Sequence, residues 1–103
     1  MYKEVCFLMR FEWDPHKNES NRQKHGVSFE EACEVFEDPL HIALRDERFS
    51  YFEERWITIG RTSFARLVVA AHLYFDANGE EIIRIISARE ATTNERKQYE
   101  NEP

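Results

Sequence analysis

At 103 residues the chain is long enough for one hydrophobic core and too short for two, so a single domain over 1–103 is expected. Hydrophobic residues at 42% and aromatic residues at 14% exclude a disordered segment, and a net charge of −6 argues against a general nucleic-acid coat. The longest apolar run, residues 67–75, is interrupted by His72 and too short for a bilayer; the N-terminus lacks a signal-peptide layout, and Cys6 and Cys33 read as reduced core residues, which together predict a cytoplasmic protein.

Residues 5–13 are apolar and aromatic enough for a strand, although their alternation is imperfect. Asp14-Pro15 then supplies an N-cap and a proline at the first helical position, and Gly26 a C-terminal stop, which brackets a polar helix over 15–25. Ser28 and Glu31 form a capping box that opens a second helix. Phe29, Ala32, Cys33 and Phe36 fall on its core-facing stripe, and Asp38-Pro39 ends it. From Leu40 the period changes: 40–45 is a strand candidate, followed by a charged, aromatic loop to about Glu53. Strands are expected over 55–62 and 65–75, and the Asp76-Ala77-Asn78-Gly79 turn leads into another over 81–88. Thr92 and Glu95 make a second capping box and start a helix to about Tyr99, whose ring is expected to anchor it. The order predicts an α+β fold: an antiparallel sheet of about four to five strands packed against two N-terminal helices, with a short C-terminal helix.

The net charge conceals a partition. Residues 30–54 carry nine acids against Arg45 and Arg48, whereas 55–75 carry none and contain Arg55, Arg61, Arg66 and His72. Residues 16–28 are also basic, with Lys17, Arg22, Lys24, His16 and His25. Two differently charged regions suggest two surfaces with different partners.

Arg84 stands inside the otherwise apolar run Ile-Ile-Arg-Ile-Ile. Burying such a charge alone costs several kcal/mol, so it must be paired or line a site. Strand parity suggests that Arg84 could share a sheet face with Arg66, His72 and Tyr74, as a cationic and aromatic platform. Structural partners for Arg84 would be Glu54 or Glu95. No close pair of Cys or His has the spacing of structural zinc, and no nucleophile-elbow motif is present, so no cofactor or metal is expected.

Two blocks carry a family resemblance: FEWDPHKNESNRQKHGVSFEEACEVFEDP near the start and IRIISAREATTNERKQYE near the end. With EERWITIGRT and RLVVAAH between them, the chain from Phe11 to Glu100 resembles the BrnT family of bacterial toxins. That resemblance implies a RelE-like fold, endoribonuclease activity that arrests translation, and neutralisation by a cognate BrnA-like, ribbon-helix-helix antitoxin. DNA would be reached only through that antitoxin, and no membrane is involved. The chain departs from the pattern after its ISAR motif, where Glu90 and Thr93-Asn94 leave the terminal helix less cationic.

RNA can be cut without a metal when its own 2′-OH attacks the adjacent phosphate; the protein then supplies a base, an acid and cations for the phosphorane charge. Under the resemblance, Lys24, His25, Arg84 and Arg89 are the catalytic candidates, and Arg55, Arg61, Arg66 and His72 the substrate-binding ones. Guanidinium suits phosphate clamping, and imidazole titrates near neutrality. The residues alone also allow Lys24 and His25 to serve merely as helix C-terminal cations, and His72 as a packed core histidine. The rival reading is a non-catalytic RelE-like domain that binds an antitoxin-like regulator and tunes promoter binding.

Overall fold

The computed structural model describes residues 2–6, 9–47 and 54–101. The expected loop up to Glu53 lies, from residue 48 onward, outside them, as does the side chain of Cys6.

Six strands and three helices follow in the order β1 (Tyr2–Cys6), β2 (Met9–Trp13), α1 (Pro15–His25), α2 (Phe29–Cys33), β3 (Ile42–Arg45), β4 (Trp56–Arg61), β5 (Leu67–Ala77), β6 (Glu80–Glu90) and α3 (Thr93–Asn101). The α+β class is as expected. The first apolar run is two strands rather than one, paired antiparallel from Tyr2↔Trp13 to Cys6↔Met9, which raises the sheet to six strands. The sheet order is β1-β2-β6-β5-β4-β3. It is antiparallel except where β2 runs parallel to β6, with Glu12 beside Arg84. The chain leaves β2 through the two N-terminal helices to β3 at the far edge and returns strand by strand to β6, which supplies the long connection a parallel pair requires.

The helices begin where side chains satisfy their first N–H groups. Asp14 accepts from the His16 amide at 2.9 Å, and Ser28 Oγ from the Glu31 amide at 3.0 Å. Gly26, at φ 74°, closes α1 in the left-handed conformation, its N–H on the Arg22 carbonyl. α2 tightens into a 3₁₀ turn, Glu34–Glu37, before Pro39 forces Asp38 into an extended conformation.

α1, α2 and the 3₁₀ turn cover one face of the sheet, here the helix face. Phe11, Trp13, Val27, Phe29, Ala32, Val35, Val68, Ala70, Ile83, Ile85 and Ala88 are buried between the two layers. Close packing has a backbone requirement at Gly60. A Cβ there would stand 2.6 Å from the Val35 carbonyl oxygen. The opposite face carries a smaller cluster of Ile59, Leu67, Val69 and Tyr99, flanked by Ile42, Leu44 and Ile57. α3 is thus held on this second face, and Tyr99 anchors it as expected: its ring is buried and its hydroxyl donates to Asp38 at 2.5 Å. The remainder of that face, toward β6 and β2, is not covered by a helix.

Two features of the β5–β6 hairpin decide which side chains reach it. Asn78 (φ 54°) and Gly79 (φ 79°) form a two-residue turn, so Ala77 faces Glu80 and even-numbered residues of one strand oppose odd-numbered residues of the other. A β-bulge then intervenes: Ala71 faces Ser87 while His72 faces Ile85, leaving Ile86 as the extra residue.

Candidate functional site

Arg84 lies opposite Leu73, not His72 or Tyr74. The platform expected from parity therefore does not form. His72 and Tyr74 share the helix face with Ile85 and Ile83, and Arg66 joins them there, whereas Arg84 projects from the second face. The two-residue turn is the physical reason, because its odd pairing sum separates the two even-numbered positions.

Arg84 does find a negative group within the fold. Its Nη1 donates to Glu12 Oε1 at 3.0 Å, the two residues being neighbours across the parallel β2–β6 pair. The expected partners Glu54 and Glu95 are replaced by this one. Glu95 instead binds Arg89 with both oxygens, at 2.7 and 2.9 Å. The fork is bidentate and also completes the α3 capping box, since Glu95 Oε1 accepts from the Thr92 amide at 2.9 Å. The Arg89 hydrogen bonds hold the Glu95 carboxyl down to about 2, against the opposing effect of burial.

Beyond the bulge the parity of β6 is reversed, so Ser87 and Arg89 emerge on the same face as Arg84. Arg55, just before β4, also points there, in step with Ile57 and Ile59. Arg55, Ser87, Arg89 and Asp46 wall a cavity of about 130 Å³, floored by Ile57, Val69 and Ala71. Asp46 Oδ2 lies 4.0 Å from Arg55 Nε. Arg55, Arg84 and Arg89 thus share the second face with the carboxylates Asp46, Glu12 and Glu95. Permanently charged donors around a small hollow suit an oxyanion. Asp46 was not among the candidates from sequence; its signal was the alternation that also places Ile42 and Leu44 on that face.

The other expected site residues lie elsewhere. Lys24 and His25 are exposed in the last turn of α1, in the helix layer, across the sheet from Arg84 and Arg89. α1 meets β6 through Asn21, whose amide donates to the Ala88 carbonyl at 2.7 Å on the helix face. His72 is fully buried, its Nε2 2.7 Å from Thr58 Oγ1, between the rings of Phe36 and Tyr74. Burial lowers its pKa to about 4, which keeps the imidazole neutral. It is a core histidine, closed off from the surface. Arg66 clasps Glu31 through Nε (2.8 Å) and Nη2 (2.5 Å) and also donates to the Gly26 carbonyl at 2.7 Å, tying β5 to the junction of α1 and α2. Arg61 is exposed at the end of β4, its amide on Asp38 and its guanidinium 5.6 Å over the Tyr99 ring. Among the described residues no group of three His, Cys, Asp or Glu side chains is placed to hold a metal ion, and no helix is long and apolar enough to cross a membrane.

Comparison with known proteins bears on this arrangement. The chain is similar in fold to the crystal structure of the Brucella abortus ribonuclease toxin BrnT, with a TM-score of 0.58 and 22% identity over 79% of this chain and 94% of that one. No curated protein matches the sequence. The profile of the family described as the ribonuclease toxin BrnT of type II toxin–antitoxin systems matches residues 13–95, a span that contains the arginine face and every strand from β3 to β6. The chain therefore belongs to the BrnT family of ribonuclease toxins.

Proposed function

We propose that the face bearing Arg55, Arg84 and Arg89 is the RNA site, and that the protein cuts RNA there without a metal ion and thereby arrests translation in the cytoplasm. The observation that carries this reading is the presence of three guanidiniums, Arg55, Arg84 and Arg89, on one sheet face, two of them walling a cavity of about 130 Å³. Guanidinium charge placed where a phosphorane develops lowers the barrier most, because it is oriented before the reaction begins. Metal independence follows from the same chemistry: RNA carries its own nucleophile, and the arginines supply the charge a divalent ion would otherwise bring. Lys24 and His25, in the helix layer, take no part in the reaction under this reading. The partner is a BrnA-like, ribbon-helix-helix antitoxin that covers the arginine face and provides the contact with DNA.

The non-catalytic rival draws on one specific observation. Glu12 and Glu95 already neutralise Arg84 and Arg89, so the face carries less free positive charge than its arginines alone suggest. Induced expression in bacteria separates the two readings. Wild-type protein is expected to stop growth and degrade RNA, and Arg84→Ala or Arg89→Ala to lose most of that effect. Purified wild-type protein is expected to cut RNA equally well in EDTA. Unimpaired growth with intact RNA in the wild type would establish the non-catalytic reading instead.

A further inference from the structure

We infer that Asp46 is the proton acceptor of the cleavage reaction, an assignment that rests on reading the arginine face as the RNA site. The chemistry of the cavity wall singles it out. Arg55 and Arg89 are donors only and cannot take a proton, and the Ser87 hydroxyl needs a base of its own. Glu12 and Glu95 belong to the same face but do not line the cavity. Among the described residues that line it, Asp46 alone brings carboxylate oxygens.

Its placement is rigid. The Asp46 amide donates to the Arg55 carbonyl at 2.7 Å, continuing the β3–β4 ladder one step past Arg45↔Trp56. The carboxylate therefore stands on a strand end and not on a free loop, as a positioned base requires. Its side chain is only 11% exposed. A substrate must reach it from within the cavity of about 130 Å³.

In the step assigned to it, an Asp46 oxygen takes the 2′-OH proton while the 2′-oxygen bonds to phosphorus. Arg55 and Arg89 hold the non-bridging oxygens as their charge grows. The P–O5′ bond breaks, the departing oxygen takes a proton from water, and the hydroxide so formed recovers the proton from Asp46. The products are a 2′,3′-cyclic phosphate and a 5′-hydroxyl, with no net change in protons.

The test is single-turnover cleavage of a fluorescent RNA oligonucleotide by wild type, Asp46→Asn and Arg89→Ala across the acidic to neutral range, with RNA affinity measured in parallel. Asp46→Asn keeps the shape of the side chain and removes the base. It is expected to bind RNA within threefold of wild type, to cleave at least about 100-fold more slowly, and to lose the rise of rate with pH. Cleavage within threefold of wild type, or a loss of RNA binding beyond tenfold, would overturn the assignment. Should Asp46→Asn fail to fold, the ends of the wild-type products decide: a 2′,3′-cyclic phosphate supports the step, and a 5′-phosphate rules it out. Arg89→Ala separates the two levels, because full activity in that variant removes the arginine face itself, whereas an active Asp46→Asn beside a dead Arg89→Ala removes Asp46 alone.

Discussion

Arg84 and Arg89 stand five positions apart on one strand, an odd spacing that regular alternation would send to opposite faces, yet both emerge from the same one. The β-bulge at Ile86 is the cause. It absorbs one residue between His72↔Ile85 and Ala71↔Ser87, so Ile83, Ile85 and Ala88 enter the main core while Arg84, Ser87 and Arg89 face away from it. An anomaly of local pattern, a charge inside a run of isoleucines, thereby becomes one member of a row of guanidiniums.

If that row binds the RNA backbone, its members are distinguishable by salt. For single strands each neutralised phosphate contributes about 0.7 to the slope of log affinity against log salt. Arg55→Ala, Arg84→Ala and Arg89→Ala should each reduce the slope by about that amount in a filter-binding or anisotropy titration. Arg61→Ala, at the far end of β4 against Tyr99, should leave it unchanged. Equal slopes for all four variants would remove the assignment of the face.

Acid is expected to destabilise the fold in two stages. His72 has its pKa lowered by burial from 6.5 to about 4, so the unfolded chain binds a proton that the folded one refuses. Stability present above pH 6.5 is then lost progressively down to about pH 4, with a slope of at most about 1.4 kcal/mol per pH unit for this one group. From about pH 4.5 downward, Glu95, held near 2 by Arg89 against an ordinary value of 4.5, releases its contribution as it is protonated. Glu31, lowered by its hydrogen bonds from Arg66, adds to that second stage. Urea midpoints measured from pH 7.5 to 3 should show both stages, and His72→Gln should flatten the first.

Gly60 illustrates how closely the 3₁₀ turn packs on β4. Alanine there would place a methyl 2.6 Å from the Val35 carbonyl oxygen and 2.8 Å from Val35 Cβ, and neither neighbour is the end of a flexible side chain. Gly60→Ala is expected to cost about 1–3 kcal/mol in urea denaturation, typical of overpacking. The ordinary gain from replacing a strand glycine would point the other way, so a stabilised variant would show that the turn can move.

Tyr99→Phe tests how α3 is moored. The ring remains packed on Ile59, Leu67 and Val69 while the hydrogen bond to Asp38 is lost. Asp38 keeps the Arg61 and Leu40 amides, so the cost should fall at the low end for a bond to a charged group, about 1.5 kcal/mol. Chemical denaturation monitored by far-UV circular dichroism measures it.

Much of the fold was legible because its signals are local. Asp14-Pro15 with Gly26 bracketed α1, the two Ser/Thr-x-x-Glu boxes opened α2 and α3, and Asn78-Gly79 placed the final hairpin. Each depends on hydrogen bonds or dihedral preferences within a few residues. The division of residues 5–13 into two strands was not legible, since an apolar run carries no mark of where it folds back. The candidate site was legible in part. Arg55, Arg84 and Arg89 were singled out by residue type, but their company was misread. Even the two-residue turn, correctly applied, sets Arg84 opposite Leu73, whereas the bulge at Ile86 has no signature in the isoleucine run.

The sequence by itself determined the element types, the helix starts and the membership of the BrnT family, because caps, turns and motif blocks are written in contiguous residues. Only the tertiary structure decided which charges meet. The parallel register of β2 on β6 gives Arg84 to Glu12, and the start of α3 gives Arg89 to Glu95. The same packing buries His72 as a neutral core residue and leaves Lys24 and His25 across the sheet. Electrostatic interaction depends on separation in space, and strand register and a single inserted residue set that separation for side chains that local pattern cannot pair.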